Sequence, residues 1–232
     1  MEKLKDLPSF SSAPDILSIE AAIKCEIRHI PIKRAFDVLF SLICLTLGLP
    51  IFLLIGLLIL LGSSGRMIYA HERIGRGGKT FRCYKFRTMY ADADQRLHKI
   101  LDSNPELRKE WDHSYKLKKD PRVTPIGHLL RKTSLDELPQ FWNVLKGDLS
   151  VVGPRPVVQE EITKYFGVKA YKILSIRPGL TGPWQVSGRN DVDSYEKRIL
   201  LDEHYVDHQS LLLDLRLIAK TIPAMLFSKG AY

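Results

Sequence analysis

The chain has 232 residues, enough for one domain with a large core and an additional segment. Its 35 lysines and arginines exceed its 26 acidic residues, giving a formal net charge of +9, and its three cysteines show no C-x-x-C spacing. These numbers argue against a disulfide framework and a zinc site, and they favour a reducing compartment. The charge predicts anionic partners. Because no helix-turn-helix, zinc-finger or aromatic RNA motif is present, we expect no nucleic acid among them.

Residues 1–30 are mixed polar residues and predict an N-terminal tail without a catalytic role. The first 62 residues carry equal numbers of basic and acidic side chains, so the whole positive surplus belongs to residues 63–232. A basic part beside an apolar segment is typical of proteins that meet anionic lipids or phosphorylated substrates.

The next element is an uncharged run from Val38 to Leu61, long enough for a membrane-spanning helix of about 20 residues. Pro50 lies in its middle, and a proline inside a helix breaks or kinks it. Lys33 and Arg34 precede the run and Arg66 follows it, so the positive-inside tendency places both ends in the cytoplasm. The residues leave two alternatives open, a straight transmembrane helix and a bent, re-entrant hairpin.

Residues 67–88 predict a basic β-hairpin around a glycine-rich turn at 75–78. Helical spacing follows at 92–101 and 105–118, and a short helix is predicted to end at Arg131. This arginine comes shortly before two acids in the chain, and a guanidinium group can hold a phosphate bidentately.

The stretch RKTSLDELPQ, residues 131–140, concentrates the chemistry of the chain, with Asp136 and Glu137 side by side. Ser134 and Glu137 have the S-x-x-E spacing of a capping box, which predicts a helix start here, and Pro139 is the alternative start. Either start puts the acids near a helix N-terminus, which favours negative charge. We therefore expect both acids to be ionised, able to attack phosphorus or to hold a metal. Simple helix capping explains the same residues without catalysis.

Proline- and glycine-rich segments follow the acids. Prolines on both sides of Arg155 restrict its backbone. Residues 177–182 (RPGLTG) and 184–190 (WQVSGRN) are typical of loops whose amides approach phosphate or sugar. Residues 191–205 predict a polar helix. Residues 211–227 predict an amphipathic helix that either completes the core or docks on a membrane surface.

Several of these motifs together resemble the signature of the bacterial sugar transferases, the monotopic phosphoglycosyl transferases that start exopolysaccharide, capsule and O-antigen assembly on polyprenyl phosphate. The motifs are SLDELPQ at 134–140, NVLKGD at 143–148, VGPRP at 152–156, RPGLTG at 177–182 and QVSGRN at 185–190. The resemblance extends from Lys33 to the C-terminus and is greatest to the exopolysaccharide galactosyl- or glucosyl-phosphate transferases. It implies a helix that dips into one leaflet and returns, with its break at Pro50, and an Asp37–Arg34 pair that anchors the helix end at the headgroups.

The resemblance also implies roles for single residues. It places Arg155 in the nucleotide site and makes Arg177 and Arg189 candidates for binding the diphosphate or nucleotide. It gives Asp202 a supporting role at the substrate, with an exposed helix surface as the alternative. The segment KFRTM at 85–89 matches a family motif too, but we assign it no catalytic role.

We therefore predict a mixed α/β fold that is mostly helical, with a small β-hairpin or sheet and amphipathic helices at the membrane interface. Residues 1–30 form the tail, 31–63 the re-entrant membrane helix and 64–232 a cytoplasmic catalytic domain. The predicted location is the cytoplasmic face of a bacterial inner membrane, against the anionic lipids of its inner leaflet.

The predicted reaction moves a hexose 1-phosphate from a UDP-sugar to a polyprenyl phosphate. Asp136 attacks the β-phosphorus and releases UMP, forming an aspartyl sugar-phosphate that the lipid phosphate then attacks. Glu137 is expected to hold Mg²⁺, while Arg131 and Arg155 neutralise the diphosphate. Two alternatives stay open: direct displacement with both acids as metal ligands only, and a non-catalytic membrane scaffold for polysaccharide export. The sequence does not specify the sugar, and it does not distinguish a monomer from a homodimer.

Overall fold

The computed structural model of the chain describes residues 30–114, 117, 119–187 and 194–227. The predicted tail lies outside these residues except for Ile30. The described part is mainly helical and contains two small two-stranded sheets. This confirms the predicted mixed, mostly helical fold class.

Most of the helices and strands are short. Short 3-10 turns occur at Arg76–Gly78 and Leu135–Glu137, and a π-helical turn covers Ile162–Phe166. The elements are α1 (Pro31–Gly62), β1 (Ile68–Ile74), β2 (Thr80–Phe86), α2 (Ala93–Ser103), α3 (Pro105–Ser114), α4 (Pro125–Thr133), α5 (Gln140–Lys146), β3 (Ser150–Val152), α6 (Gln159–Glu161), α7 (Lys169–Ile173), β4 (Gly179–Thr181), α8 (Pro183–Val186), α9 (Tyr195–His208) and α10 (Leu211–Phe227).

The chain divides into two compact units. Of the described residues, the larger unit comprises those up to Leu47, the segment Ala70–Tyr84 and those from Gln140 onwards. The smaller unit comprises the described residues of Gly48–Tyr69 and Lys85–Pro139. The predicted catalytic acids therefore belong to the smaller unit, and Arg155, Arg177 and Asp202 belong to the larger one.

Helix α1 is the one described helix that is long and apolar enough to cross a membrane. Only 17% of its most apolar stretch is buried within the protein, and side chains such as Leu47 and Leu61 are about three-quarters exposed (76% and 75%). An apolar surface of this length is stable in lipid and unfavourable in water. The helix continues through Pro50 to Gly62, so the predicted break of the helix at Pro50 is not found, and the return into one leaflet stays a prediction.

The N-terminal half of α1 buries charged side chains in the larger unit. Lys33 lies 2.6 Å from the carboxylate of Asp214 in α10 and 3.9 Å from that of Asp37, one turn further along α1. The hydroxyl of Tyr205 donates to the other Asp214 oxygen at 2.6 Å. Asp37 and Asp214 are 1% and 0% exposed. This buried network joins the start of α1 to α10.

The predicted headgroup anchor, an Asp37–Arg34 pair, is wrong. Arg34 donates to the main-chain carbonyls of Val144 and Leu145 at 2.6 and 2.8 Å. Asp37 instead accepts hydrogen bonds from the hydroxyl of Ser150 and the amide of Val151, which follow each other on β3. Both side chains thus attach the helix to the protein.

In the larger unit, β3 and β4 pair in parallel, with Ser150 opposite Gly179 and Val152 opposite Thr181. A side chain on Gly153 or Gly179 would collide with the main chain of the other strand, so the close approach requires glycine at both positions. The pairing places the segment around Arg155 next to the 177–181 loop. The hydrophobic core packs around these strands and includes Val144, Leu149, Val151, Val152, Ile176, Tyr205, Val206 and Leu217.

In the smaller unit, α4 presents the acid-containing turn. Thr124 caps the helix by accepting from the amide of Gly127, and Pro125 occupies the first helical position. Gly127 packs directly against the carbonyl of Thr88, where any side chain would clash with that main chain. Leu130 on the same helix is buried with Phe86 and two α1 residues, Ile55 and Ile59. The core of this unit thus fixes where α4 ends.

Candidate active site

The predicted capping box at Ser134 is wrong. Helix α4 extends to Thr133, and Ser134 is its C-terminal cap, with a left-handed backbone (φ 55°) and its amide bonded to the carbonyl of Arg131. In this conformation the Ser134 side chain makes no cap to the following turn. Asp136 and Glu137 lie in the 3-10 turn that follows, and α5 begins at Gln140, one residue after the alternative start. The acids therefore occupy a tight turn between two helices.

Lys85, at the end of β2, faces both acids. Its ammonium group lies 2.7 Å from Glu137 Oε1 and 3.9 Å from Asp136 Oδ2. The side chain of Asp136 is only 13% exposed, whereas those of Glu137 and Lys85 are 32% and 35% exposed. The turn thus presents one sheltered carboxylate and one more accessible carboxylate, with a lysine beside them.

Burial, the largest cause, raises the pKa of Asp136 to about 6. The positive charges of Lys85 and Arg131 oppose this change, and the negative charge of Glu137 adds to it. We predicted that the helix N-terminus would keep both acids ionised. For Asp136 the direction of the shift is the reverse, because the loss of water outweighs the local dipole. At pH 7 the carboxylate is still mostly ionised.

Arg131 is the second cation beside Asp136, two residues before the end of α4. Its Nε donates to the hydroxyl of Thr88 at 3.0 Å. Burial is the main cause that lowers the pKa of Arg131; the charges of Asp120 and Asp136 oppose it, and that of Arg122 adds to it. The mutual electrostatic effect shows that Arg131 and Asp136 are neighbours, as the short chain separation predicted.

A separate pocket in the larger unit contains Arg155 and Asp202. The guanidinium groups of Arg155 and Arg198 lie over the ring of Trp184, 4.8 and 4.6 Å from its centre. All four residues line the pocket. These cation–π contacts hold two positive charges at the pocket, which suits an anionic ligand such as a nucleotide.

Asp202 is 4% exposed, so its alternative interpretation as part of an exposed helix surface is wrong. Burial is the largest cause and raises the pKa of Asp202 to about 7. A hydrogen bond from the Arg155 amide and the charge of Arg155 both act to lower this pKa. Its Oδ1 is buried and has no hydrogen-bond partner among the described residues. A buried acceptor of this kind is available to a ligand donor.

The other two predicted arginines lie elsewhere. Arg177 donates from Nε to the carbonyl of Gly147 at 2.8 Å and is not part of the lining of the Arg155 pocket. Arg189 lies outside the described residues.

The sequence reasoning missed Lys85, Trp184 and Arg198. The KFRTM motif at 85–89 was the available signal for Lys85, and the W-Q-V segment was the signal for Trp184. Arg198 has no motif of its own and is revealed only by its position over the Trp184 ring.

The residues present fit a magnesium ion that is shared with substrate. Among the described residues no group of three or more histidines, cysteines and acids converges to form a full metal site. Mg²⁺ commonly binds through one or two carboxylates plus substrate phosphates, and Glu137 beside Asp136 provides that donor set. Lys85 shows that the position already favours positive charge.

Comparison with known proteins identifies the family of this chain. A family profile described as bacterial sugar transferase matches residues 28–228. The chain is 50% identical over 200 residues to the exopolysaccharide production protein ExoY of Sinorhizobium fredii, covering 86% of this chain and 88% of that protein. It is 49% identical to a UDP-galactose-lipid carrier transferase of Erwinia amylovora and 45% identical to an undecaprenyl-phosphate galactose phosphotransferase of Salmonella typhimurium. In both cases 87% of this chain is covered.

The chain spans 42% of the length of these two transferases and most of ExoY. These matches confirm the predicted enzyme class, a phosphoglycosyl transferase. The chain belongs to the bacterial sugar transferase family.

Proposed function

We propose that this chain transfers a sugar 1-phosphate from a UDP-sugar to a polyprenyl phosphate, giving a polyprenyl-diphosphate-sugar and UMP. This would be the first membrane step in assembling an exopolysaccharide, capsule or O-antigen. Relatives named for transferring galactose phosphate or N-acetylgalactosamine phosphate to undecaprenyl phosphate support this reaction class. The observation that carries the proposal is the sheltered carboxylate of Asp136 beside Lys85, on which the charge of Arg131 also acts.

In the first step Asp136 is the nucleophile. A carboxylate oxygen attacks the β-phosphorus of the UDP-sugar, and the bond from that phosphorus to the bridging oxygen breaks. UMP leaves with the electron pair, and an aspartyl sugar-phosphate remains on the enzyme. Because burial leaves the Asp136 carboxylate poorly hydrated, less water has to be removed before it attacks.

In the second step an oxygen of the polyprenyl phosphate attacks the same phosphorus. The acyl-phosphate bond breaks and Asp136 is regenerated as a carboxylate. The phosphate dianion is already nucleophilic, so this step requires no general base. Each transfer moves only an electron pair, and no proton has to be placed.

The charges around the acids serve the phosphates. Lys85 and Arg131 would neutralise the negative charge that reaches Asp136 with the diphosphate. Glu137, with its more accessible carboxylate, is the residue we assign to Mg²⁺, which when bound supplies Lewis-acid neutralisation of the diphosphate. Lys85 would then turn from Glu137 towards a phosphate oxygen.

The Arg155 pocket is proposed to hold the nucleotide. Arg155 and Arg198, held against the ring of Trp184, offer charge, and Asp202 offers a buried acceptor. The resemblance to the family motif at 152–156 supports this assignment. Arg189 keeps its proposed role near the diphosphate on the resemblance alone.

We further propose that residues 31–63 form a re-entrant membrane element and residues 64–232 a cytoplasmic catalytic domain. Basic residues at both ends of the uncharged run support this arrangement, because a straight span would place one end outside the cell. The active site would then lie at the headgroups of the inner membrane, where the soluble donor meets the lipid acceptor. Cysteines introduced before Lys33 and after Gly62 should both react only from the cytoplasmic side. Labelling of one of them from outside would show a straight span.

The test of the chemistry uses full-length protein in detergent with a UDP-sugar and no acceptor. The intact mass should rise by one hexose phosphate, with the adduct mapped to Asp136 and UMP released in equal amount. Asp136→Asn should form no adduct, and Glu137→Gln should form it more slowly, since it keeps the nucleophile.

Two results would redirect the proposal. Turnover with polyprenyl phosphate but no adduct without it would indicate direct displacement, with both acids as metal ligands only. No UMP release from wild-type protein, with any UDP-sugar and acceptor, would favour a scaffold in polysaccharide export. A panel of UDP-sugars read by UMP release would identify the sugar.

A further inference from the structure

Two arginines from distant parts of the larger unit meet at the C-terminal end of α5. Arg34 donates to the carbonyls of Val144 and Leu145 at 2.6 and 2.8 Å, and Arg177 donates to the carbonyl of Gly147 at 2.8 Å. A Cβ placed on Gly147 would lie 3.5 Å from the Arg34 guanidinium group and 3.8 Å from that of Arg177. Both groups therefore line the same small volume.

Arg76, in the turn between β1 and β2, adds a third positive charge. Its Nη1 is buried and has no hydrogen-bond partner among the described residues. Burial and the charge of Arg34 lower the pKa of Arg76. The pKa of Arg177 is lowered mainly by burial and further by the charges of Arg76 and Arg34. The charge of Asp37 has a smaller effect that raises this pKa. The three side chains repel one another, and Asp37 is already shared with Lys33.

Capping of α5 explains only part of this arrangement. A helix C-terminus carries about half of one negative charge, which does not offset three guanidinium groups. Each guanidinium group has five N–H donors, and the contacts to α5 use two from Arg34 and one from Arg177. A buried donor without an acceptor is destabilising. The cluster therefore offers N–H donors to an anionic group.

We propose that Arg34, Arg76 and Arg177 form a binding site for a phosphate group, separate from the Arg155 pocket and from the acid turn. Phosphate fits because its oxygens accept several N–H donors at once, in the fork geometry that guanidinium groups provide. Arg177 then binds this phosphate and not the diphosphate of the sugar donor.

The position of the cluster favours a lipid as the source of the phosphate. Arg34 precedes the uncharged run by four residues, which is about 6 Å along a helix. If α1 enters the bilayer as proposed above, this distance places the cluster at the level of the headgroups. This choice of source rests on the proposed membrane placement; the phosphate site itself does not.

The test compares Arg76→Gln with Arg82→Gln in full-length protein in a non-ionic detergent. Arg82 is an exposed arginine on β2 in the same unit, so its variant removes the same charge outside the cluster. The melting temperature is measured against phosphatidylglycerol, diacylglycerol without a phosphate, and inorganic phosphate. None of these measurements depends on sugar transfer, so they are independent of the proposed reaction.

We expect phosphatidylglycerol to stabilise the wild type and Arg82→Gln alike, with no effect of diacylglycerol. Arg76→Gln should need at least about tenfold more phosphatidylglycerol for the same stabilisation, because a hydrogen bond to a charged group is lost. Without ligand, Arg76→Gln should melt at the same temperature as the wild type or higher, since like-charge repulsion is relieved. Arg76→Lys keeps the charge, so the phosphatidylglycerol concentration that it needs should lie between those of the wild type and Arg76→Gln. This variant replaces Arg76→Gln in the test if Arg76→Gln does not fold.

An equal stabilisation by inorganic phosphate, also lost in Arg76→Gln, would support the site and assign it to free phosphate. If Arg76→Gln and Arg82→Gln respond alike, or if no phosphate probe stabilises the wild type, the proposal is overturned. It is equally overturned if Arg76→Gln melts lower without ligand and keeps the full response, because Arg76 is then purely structural.

Discussion

Replacing Lys85 by methionine tests the electrostatics of the acid turn most directly. The Lys85 ammonium lies 3.9 Å from the Asp136 carboxylate. At that distance the attraction is about 4 kcal/mol for an effective dielectric constant of 20 and about 1 kcal/mol for that of water. The Lys85 side chain is 35% exposed, so the true value lies between these limits. Since about 1.4 kcal/mol corresponds to one pH unit, Lys85→Met should raise the pKa of Asp136 by about one to three pH units.

The expected consequence is a slower first step at neutral pH. The pKa of Asp136 is about 6 in the wild type, so about nine-tenths of it is ionised at pH 7. In the variant the ionised fraction should fall to between about half and about one hundredth. The rate of adduct formation should fall in proportion and recover as the pH approaches about 9.

The assay is rapid-quench formation of the aspartyl adduct from a UDP-sugar, measured from about pH 5 to about pH 9. Lys132→Met is the matched control, because Lys132 is an exposed lysine in the same unit. In the control, the rate of adduct formation should fall at low pH over the same pH range as in the wild type; this fall is the acid limb of the pH profile. If Lys85→Met lowers the plateau but leaves the acid limb at the wild-type pH, Lys85 does not set the ionisation of Asp136 and the reasoning is refuted.

Three further predictions concern stability and substrate binding. Asp136→Asn should raise the free energy of unfolding at pH 7 by about 1–3 kcal/mol, since burial disfavours the charged carboxylate. The native pKa of Asp136, about 6, exceeds the unfolded value of 3.8. In urea unfolding, the extra stability of Asp136→Asn over the wild type should therefore disappear as the pH falls from about 6 to 3.8. A stability difference that stays constant over this pH range would contradict the prediction. Trp184→Ala should raise KM for the UDP-sugar about tenfold in UMP-release assays, whereas Trp142→Ala, at a 56% exposed residue, should not. Lys33→Met leaves Asp214 buried without its cation and should lower the free energy of unfolding by about 3–5 kcal/mol, partly restored by adding Asp214→Asn; an unchanged melting temperature would argue against this ion pair.

Local patterns predicted most of the helices and strands. The β-hairpin was expected at 67–88 and is found at Ile68–Ile74 and Thr80–Phe86. The amphipathic pattern at 211–227 gave the bounds of α10. These elements follow from side-chain periodicity and from glycine and proline positions, which act over a few residues.

The same local reasoning was wrong at Ser134, where the S-x-x-E spacing indicated a helix start and the residue ends a helix instead. The packing of Leu130 and Gly127 against the rest of the smaller unit fixes where α4 ends. That tertiary contact outweighs a capping preference of about 1 kcal/mol.

The sequence by itself determined the chemical inventory of this protein: a long uncharged apolar run, a basic remainder, an adjacent pair of acids and the motifs of a sugar transferase. Only the tertiary structure decided which cations face the acids, that Arg155 shares a pocket with Trp184, and that Arg177 joins Arg34 instead. It also reversed the expected shift in the pKa of Asp136. The physical reason is that motifs and periodicity are properties of neighbouring residues, whereas burial and the charges around a side chain depend on residues far apart in the chain.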